Sequence, residues 1–435
     1  MIRFRSLLRG AALFLSVGAF AAILPPDLSA QYFGRNKVQY EDFRFRSIQT
    51  EHFDVYYYPE MESAARDAAR MAERWYGRLS SVFVHEFDER KPIVLYADKA
   101  DFQQTNTTPA FISEATGGFT EGIKNRVVMP FAETYADTDH VLGHELVHAF
   151  QFDLAQQALR SEEGPAGIQT LPLWAIEGLA EYLSLGRSDA HTAMWMRDAV
   201  LRDDLPTLEQ LSRDPRFFPY RFGHAFWAYV GGRWGDEVVI ALYRSVGARG
   251  LKSSILRTLG VDPDTLSAEW IAASKAHYGP LLEGRAAPAD VARLVEVERE
   301  DWVLAPVLSP DGRRAVFISG LDVFTYDLFV ADVESGRVLG KLASASREPH
   351  FDALAFTNTS GAFSPDGRRF AFVTFVQGDN RIVIVDVESQ EIHRELALGD
   401  VGAVTSLDWA PDGRTIVFGG QEGAVPDLWR VDLET

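Results

Sequence analysis

Two histidines four residues apart with a glutamate between them, His144-Glu145-Leu146-Val147-His148, are the residues of this 435-residue chain best suited to chemistry. They lie inside the run HVLGHELVHAFQF, whose apolar positions repeat at helical spacing. A spacing of four places both imidazoles on one helical face, where two ring nitrogens can bind one tetrahedral zinc at about 2.0–2.1 Å. Glu145 is rotated off that face yet close enough to take a proton from a hydrolytic water. The same five residues also suit an ordinary helix with two surface histidines. What separates the two readings is a third ligand, because a catalytic zinc takes three protein ligands and keeps its fourth position open. The segment Trp174-Ala175-Ile176-Glu177-Gly178-Leu179-Ala180-Glu181-Tyr182 offers two carboxylates one helical turn apart. His140, four residues before His144, or His224 could instead close the fourth position and make a zinc site purely structural.

The elements that must position these groups follow from patterning. Residues 53–58 (FDVYYY) read as a strand, and residues 61 to about 84 as an amphipathic helix carrying Ala64, Ala68, Met71 and Trp75. Residues 92–96 (PIVLY) read as a short buried strand, and 117–129 (GGFTEGIKNRVVM) as a hairpin or edge strand whose glycines admit close backbone approach. Two helices should follow, from 140 to about 159 with a cap at Thr138 or Asp139, and from 173 to about 185. Strand, helix, strands, then helices make an α+β domain over residues 31–285.

A chain of this length with 46% hydrophobic and 24% charged residues is expected to fold as two domains. Its first 30 residues are different: Arg3, Arg5 and Arg9 precede an apolar run over 11–24, the pattern of a signal peptide cleaved near Ala30 or Ala21. That run is shorter than the roughly 20 residues a bilayer requires, so no membrane span is expected after its removal. The absence of cysteine excludes a disulfide framework, a thiolate metal site and a lipid anchor. A formal charge of −19 repels nucleic acid and anionic membranes. The expectation is an exported protein, periplasmic or secreted, of a bacterial envelope.

The pairing of HELVH with WAIEGLAEY resembles the gluzincin clan of zinc metallopeptidases. That resemblance implies one Zn2+ per chain, held by His144, His148 and Glu177, with Glu145 as general base. Glu181 would then accept the outer N–H of a ligand histidine, or replace Glu177 as ligand. Pro219-Tyr220-Arg221-Phe222-Gly223 is similar to the PYxxG element of the clan's aminopeptidases, which implies that Tyr220 steadies the oxyanion, with His224 as its rival. The clan's substrate-pairing edge strand corresponds to Gly117, Gly118 and Phe119, although a tight structural turn would use the same glycines. The GxMEN motif that binds a free amine has no counterpart in Gly117-Gly118-Phe119-Thr120-Glu121, which favours an endopeptidase. Residues 31 to about 285, including Thr50-Glu51-His52-Phe53-Asp54-Val55-Tyr56, resemble the peptidase MA-like domain that accompanies TolB-like propellers.

Beyond residue 286 a Pro-Asp-Gly turn recurs in LSPDGRR, FSPDGRR and WAPDGR, starting at Leu308, Phe363 and Trp409. Each is followed by paired strands, at the period of propeller blades. The region 286–435 resembles a TolB-like β-propeller of about three blades, an incomplete ring that either continues in a longer protein or is capped by another copy. The function expected is hydrolysis of a peptide or protein substrate, with an envelope protein as a partner held by the propeller. The alternatives are an envelope scaffold with a structural or inactive zinc domain, and a zinc hydrolase of something other than peptides.

Overall fold

A computed structural model describes residues 39–110, 112–113, 115–160, 167–247, 249–286, 288–291, 303–322, 325–344, 353–355 and 359–434. The expected leader over 1–30 and both of its cleavage sites lie outside them. Among the described residues no helix is long and apolar enough to cross a membrane.

Five strands, β1 (Arg46–Gln49), β2 (Phe53–Tyr57), β3 (Lys91–Tyr96), β4 (Phe119–Glu121) and β5 (Arg126–Pro130), form one mixed sheet in the order β1-β2-β3-β5-β4. β2, β3 and β5 run parallel, while β1 and β4 are antiparallel to their neighbours. Alternation in β2 buries Phe53, Val55 and Tyr57 and leaves Tyr56 facing water. Residues 117–129 are therefore a hairpin and an edge strand at once, since β4 turns back on β5 and closes the sheet. Against this sheet packs α1 (Glu62–Phe83), whose stripe of Ala64, Ala68, Ala72, Trp75, Leu79 and Phe83 is buried. The short α2 (Lys99–Gln103) is capped by the Asp98 side chain, which accepts from the Asp101 N–H.

The ligand helix is longer than its patterning suggested. α3 (Tyr135–Arg160) begins before His140, because Thr134 rather than Thr138 or Asp139 accepts the orphan Asp137 N–H, at 3.1 Å. Thr138 instead turns its hydroxyl to the Ala132 N–H at 3.0 Å. Residues 142–151 of α3 are buried without a break, so this helix has no polar face there and lies in the middle of the domain. α4 (Leu173–Leu185) packs directly on it, α7 (Pro219–Trp234) packs on α4, and α5 (Ala190–Leu201), α6 (Leu208–Arg213), α8 (Asp236–Ser245), α9 (Gly250–Leu259) and α10 (Pro263–Leu282) complete the helical part.

From residue 303 the chain is all β. A four-stranded meander, β6 (Val303–Leu308), β7 (Arg314–Asp322), β8 (Thr325–Asp332) and β9 (Val338–Ser344), is followed by a second sheet. That sheet joins β10 (Ala353–Ala355), β11 (Ala362–Phe363), β12 (Arg369–Val376), β13 (Asp379–Asp386) and β14 (Ile392–Ala397). The third has β15 (Ala403–Trp409), β16 (Thr415–Glu422) and β17 (Val425–Asp432). Consecutive antiparallel sheets of this kind are propeller-like blades. Each recurring turn uses its residues alike: Asp311, Asp366 and Asp412 accept from the N–H two residues on, and Gly312, Gly367 and Gly413 all sit at φ +70°. A side chain is strained at that φ, which is why glycine recurs there.

The third sheet docks on the α+β domain. Gln421 Nε2 donates to the Ala132 carbonyl at 2.6 Å, and Ala424 is buried in the α+β core. Beside this contact lies a cavity of about 710 Å³ with Glu41, Glu60, Asp98 and Asp101 on one wall and Asp379, Asp400 and Glu422 on the other. Burial first, then its carboxylate neighbours, raises Asp98 well above the ordinary range; burial and Glu41, Asp379 and Glu60 raise Asp101 to about 7, against the hydrogen bond from Tyr58. A carboxyl with a raised folded-state pKa stabilises the native state fully below about pH 4, and that contribution is lost as pH climbs through the folded value. Asp101→Asn, which keeps an acceptor for Tyr58, should therefore raise the melting temperature by about 2–4 °C more at pH 8 than at pH 5. Thermal scans at the two pH values check this, and an equal shift at both would remove the titration of Asp101 from the account.

Candidate metal centre

α3 and α4 bring three donors together. His144 Nε2 lies 3.2 Å and His148 Nε2 3.1 Å from the same Glu177 oxygen, and the two Nε2 atoms are 3.1 Å apart. Among the described residues this trio is the group that could hold a metal ion. Backbone proximity makes the meeting possible. A Cβ on Gly143 would fall 2.5 Å from the Trp75 ring, one on Gly178 2.3 Å from the Gly223 carbonyl carbon, and one on Gly223 2.0 Å from the Trp174 carbonyl oxygen. Only hydrogen at these positions lets α1 press on α3, and α7 on α4.

The outer ring nitrogens decide the tautomers. His144 Nδ1 is 3.0 Å from Glu181 Oε1 and His148 Nδ1 is 2.8 Å from Gln151 Oε1, both acceptors, so each Nδ1 carries the proton. Both Nε2 atoms then present bare lone pairs to each other and to a carboxylate oxygen, an arrangement with no hydrogen to satisfy it. Ligands on a zinc tetrahedron with bonds of about 2.0–2.1 Å stand about 3.3–3.4 Å apart, close to the three separations observed. Two neutral imidazoles and one carboxylate are also a donor set that zinc takes, so the residues present fit that ion.

Charge points the same way. Burial depresses both imidazoles, but the carboxylates of Glu177 and Glu181 raise His144 and that of Glu177 raises His148, an affinity for positive charge that a metal ion can satisfy in place of a second ring proton. Burial pushes Glu177 up, yet the two imidazoles hold it well below the ordinary carboxylate range. The cluster thus gathers positive charge at the point where its donors meet.

Other predicted residues fall around this point. Glu145 is buried, and the Thr120 hydroxyl on β4 lies 2.8 Å from both its Oε2 and its backbone carbonyl. Gly118 backs onto Glu145 and Val141, Gly117 onto Val141, and Phe119 opens β4. The Tyr220 ring stacks on His144 with centroids 5.8 Å apart. Burial, then Glu177 and Glu145, push its hydroxyl far above the usual phenol range, so it keeps its proton and is a donor. Glu181 sits behind His144 rather than among the three donors. His224 is fully buried, its Nδ1 2.8 Å from Thr192 Oγ1 and its Nε2 2.7 Å from the Gly186 carbonyl. Both nitrogens are committed there, which withdraws His224 as an oxyanion donor and as a fourth ligand. His140 approaches Glu181 at 3.7 Å and stays outside the trio. His52 pairs with Glu73 at 2.7 Å, away from the site.

Three contributors went unforeseen. Arg221 Nη1 donates to Glu181 Oε2 at 2.7 Å and reaches Asp189 at 3.4 Å, holding the carboxylate that orients His144. Gln151 follows His148 by three residues, a helical spacing that could have marked it. Thr120 had no such sign, since its partner is 25 residues away.

No protein-family model and no curated protein matches the chain. Among solved structures it is similar to a protein assigned as TolB from Agrobacterium tumefaciens, at 21% identity over 33% of this chain and 49% of that one, with a TM-score of 0.26. It is likewise similar to TolB from Acinetobacter baumannii (21%, 40% and 46%, 0.26) and to the β-propeller domain of the Trilobed protease from Pyrococcus furiosus (15%, 32% and 42%, 0.22). The chain spans less than half the length of each.

Removing the support behind His144 should weaken metal binding without unfolding the domain. Arg221→Ala is expected to lower zinc affinity about 10–100-fold in competition with a chelating dye, with an unchanged circular dichroism spectrum. Unaltered affinity would assign Arg221 to packing alone.

Proposed function

We propose that this chain is an exported zinc-dependent peptidase of gluzincin type, acting on a peptide or protein substrate. The observation that carries this reading is the convergence of His144, His148 and Glu177 on one point, with the carboxylate of Glu145 and the hydroxyl of Tyr220 beside it. A zinc ion bound by those three donors supplies a Lewis acid that polarises the scissile carbonyl and lowers the pKa of water toward about 7.

The protein's own groups do the rest. The Thr120 hydroxyl fixes one oxygen of Glu145, leaving the other to take a proton from the attacking water. As the C–N bond breaks, Glu145 returns that proton to the departing amine, so the products are a carboxylate and a free amine. Tyr220, protonated and stacked on His144, donates a hydrogen bond to the oxygen that gains charge when the carbonyl becomes tetrahedral. The free edge of β4 suits an extended peptide, whose main chain can add a strand beside Phe119–Glu121. A structural zinc is less well supported, because the engaged nitrogens of His224 and the outward place of His140 leave the fourth position to water or substrate. The blade region, docked through Gln421 and Ala424, is read as a platform for substrate or for an envelope partner.

The test is zinc content together with hydrolysis of a mixed peptide library. Glu145→Gln should keep one equivalent of zinc while turnover falls about 10²–10⁴-fold. Glu177→Ala should lose the metal, and unchanged zinc content there would move the ligand to Glu181. Bound zinc with no cleavage by the unmutated chain would replace the peptidase reading with that of a scaffold.

A further inference from the structure

Four rings run outward from the donor cluster. Tyr220 stacks on His144 (5.8 Å, 17° between planes) and on Phe218 (5.1 Å, 25°), and Phe218 packs on Trp195 (5.4 Å, 32°). Trp195 is braced edge-on by the buried Phe222 at 6.3 Å. Three elements contribute: α3 gives His144, the start of α7 gives Phe218 and Tyr220, and α5 gives Trp195.

The inner rungs are covered, while the outer end is open. Phe218 is 39% exposed, and Trp195 beside it is half-buried. Leu173, 58% exposed, stands one helical turn before Glu177 and so on the same face of α4 as that ligand. Phe218 also occupies the N-cap of α7, with no side-chain cap bond, a position where Ser, Asp or Asn would stabilise the helix start. The sequence forgoes that bond and places an open aromatic ring against the oxyanion donor.

We propose that Phe218, with Trp195 packed beside it, is the wall of a subsite for an aromatic or bulky aliphatic side chain of the peptide substrate, adjacent to the cleaved bond. This rests on the peptidase reading and adds to it the substrate class. Pairing along β4 involves only the main chain and cannot choose among sequences, so selection falls to a side-chain contact. The carboxylates of Glu181 and Asp189 already face Arg221, and Asp214 is held by Arg216 at 2.9 Å, so none of these three awaits a basic side chain. The exposed ring favours apolar surface instead.

Profiling the cleavage sites of the full-length, zinc-loaded chain on a peptide library tests this, beside Phe218→Ala and Phe218→Leu. The unmutated chain should prefer Phe, Tyr, Leu or Met over Ala at one position flanking the cut by about 10- to 100-fold in kcat/KM. Phe218→Ala should bring that ratio close to one, and Phe218→Leu should keep much of it. Comparing ratios separates the subsite from any general slowing caused by loosening Tyr220. Cleavage with no apolar preference, with a basic preference, or with a preference that survives Phe218→Ala overturns the subsite and leaves the peptidase standing. No cleavage of any peptide overturns both.

Discussion

Three lone pairs aimed at one point repel one another, and the α+β domain is built to hold them there. Helical geometry brings His144 and His148 together at no further cost, since residues four apart share a face. Glu177 is different, because it lies on another helix and must be pressed to within 3.2 Å of both imidazoles. The glycines at 143, 178 and 223 hold the two ligand-bearing helices from behind, by removing Cβ atoms that would keep α1 off α3 and α7 off α4. Once α4 is so placed, α7 lies in backbone contact with it, and Tyr220 and Arg221 arrive at the site as successive residues of one helix start. The uninterrupted burial of residues 142–151 follows from the same demand, for a helix approached from several sides has no surface left for water.

The cluster is also electrically lopsided in a way that suits hydrolysis. Glu181, Arg221 and Gln151 hold the rear of the two imidazoles and fix which nitrogen is bare. On another side Glu145 takes a hydrogen bond from Thr120 of the sheet, while Tyr220 brings a proton that burial and its acidic neighbours will not let it lose. Glu145, Tyr220 and the donor trio therefore differ in their burial and partners although all meet the same few turns of α3. Environment separates their roles.

What could be read in the sequence was what is local. The histidine pair is visible because its geometry is internal to one helix. The blade turns are visible because Asp and Gly at fixed offsets make the same Asx turn three times. Glu177 came from the company of its neighbours in WAIEGLAEY rather than from any spacing to His148. His224 looked like a donor because it is a histidine close in sequence to Tyr220, yet its helix turns it toward Thr192 and the Gly186 carbonyl. Thr120 and Arg221 act across 25 and 40 residues of chain, distances at which a pattern carries no information about contact. Thr138 was legible as a polar residue near a helix start, but not the bond to Ala132 that makes Thr134 the cap.

Ala132, at the other end of that bond, links the two halves of the molecule. Gln421 of the third blade donates to the Ala132 carbonyl, and the N–H of the same residue is held by Thr138, six residues before His144. The loop that opens the ligand helix is thus fastened from the blade side and from the helix side through one residue. Ala424, buried in the α+β core, makes the contact partly hydrophobic and so harder to separate than polar bonds alone would. Beside it, seven carboxylates face one another across a cavity and work against the docking wherever they are ionised. The joint is therefore a balance between a small apolar anchor and charge repulsion, set at the point where the blades meet the start of the helix that carries His144, Glu145 and His148.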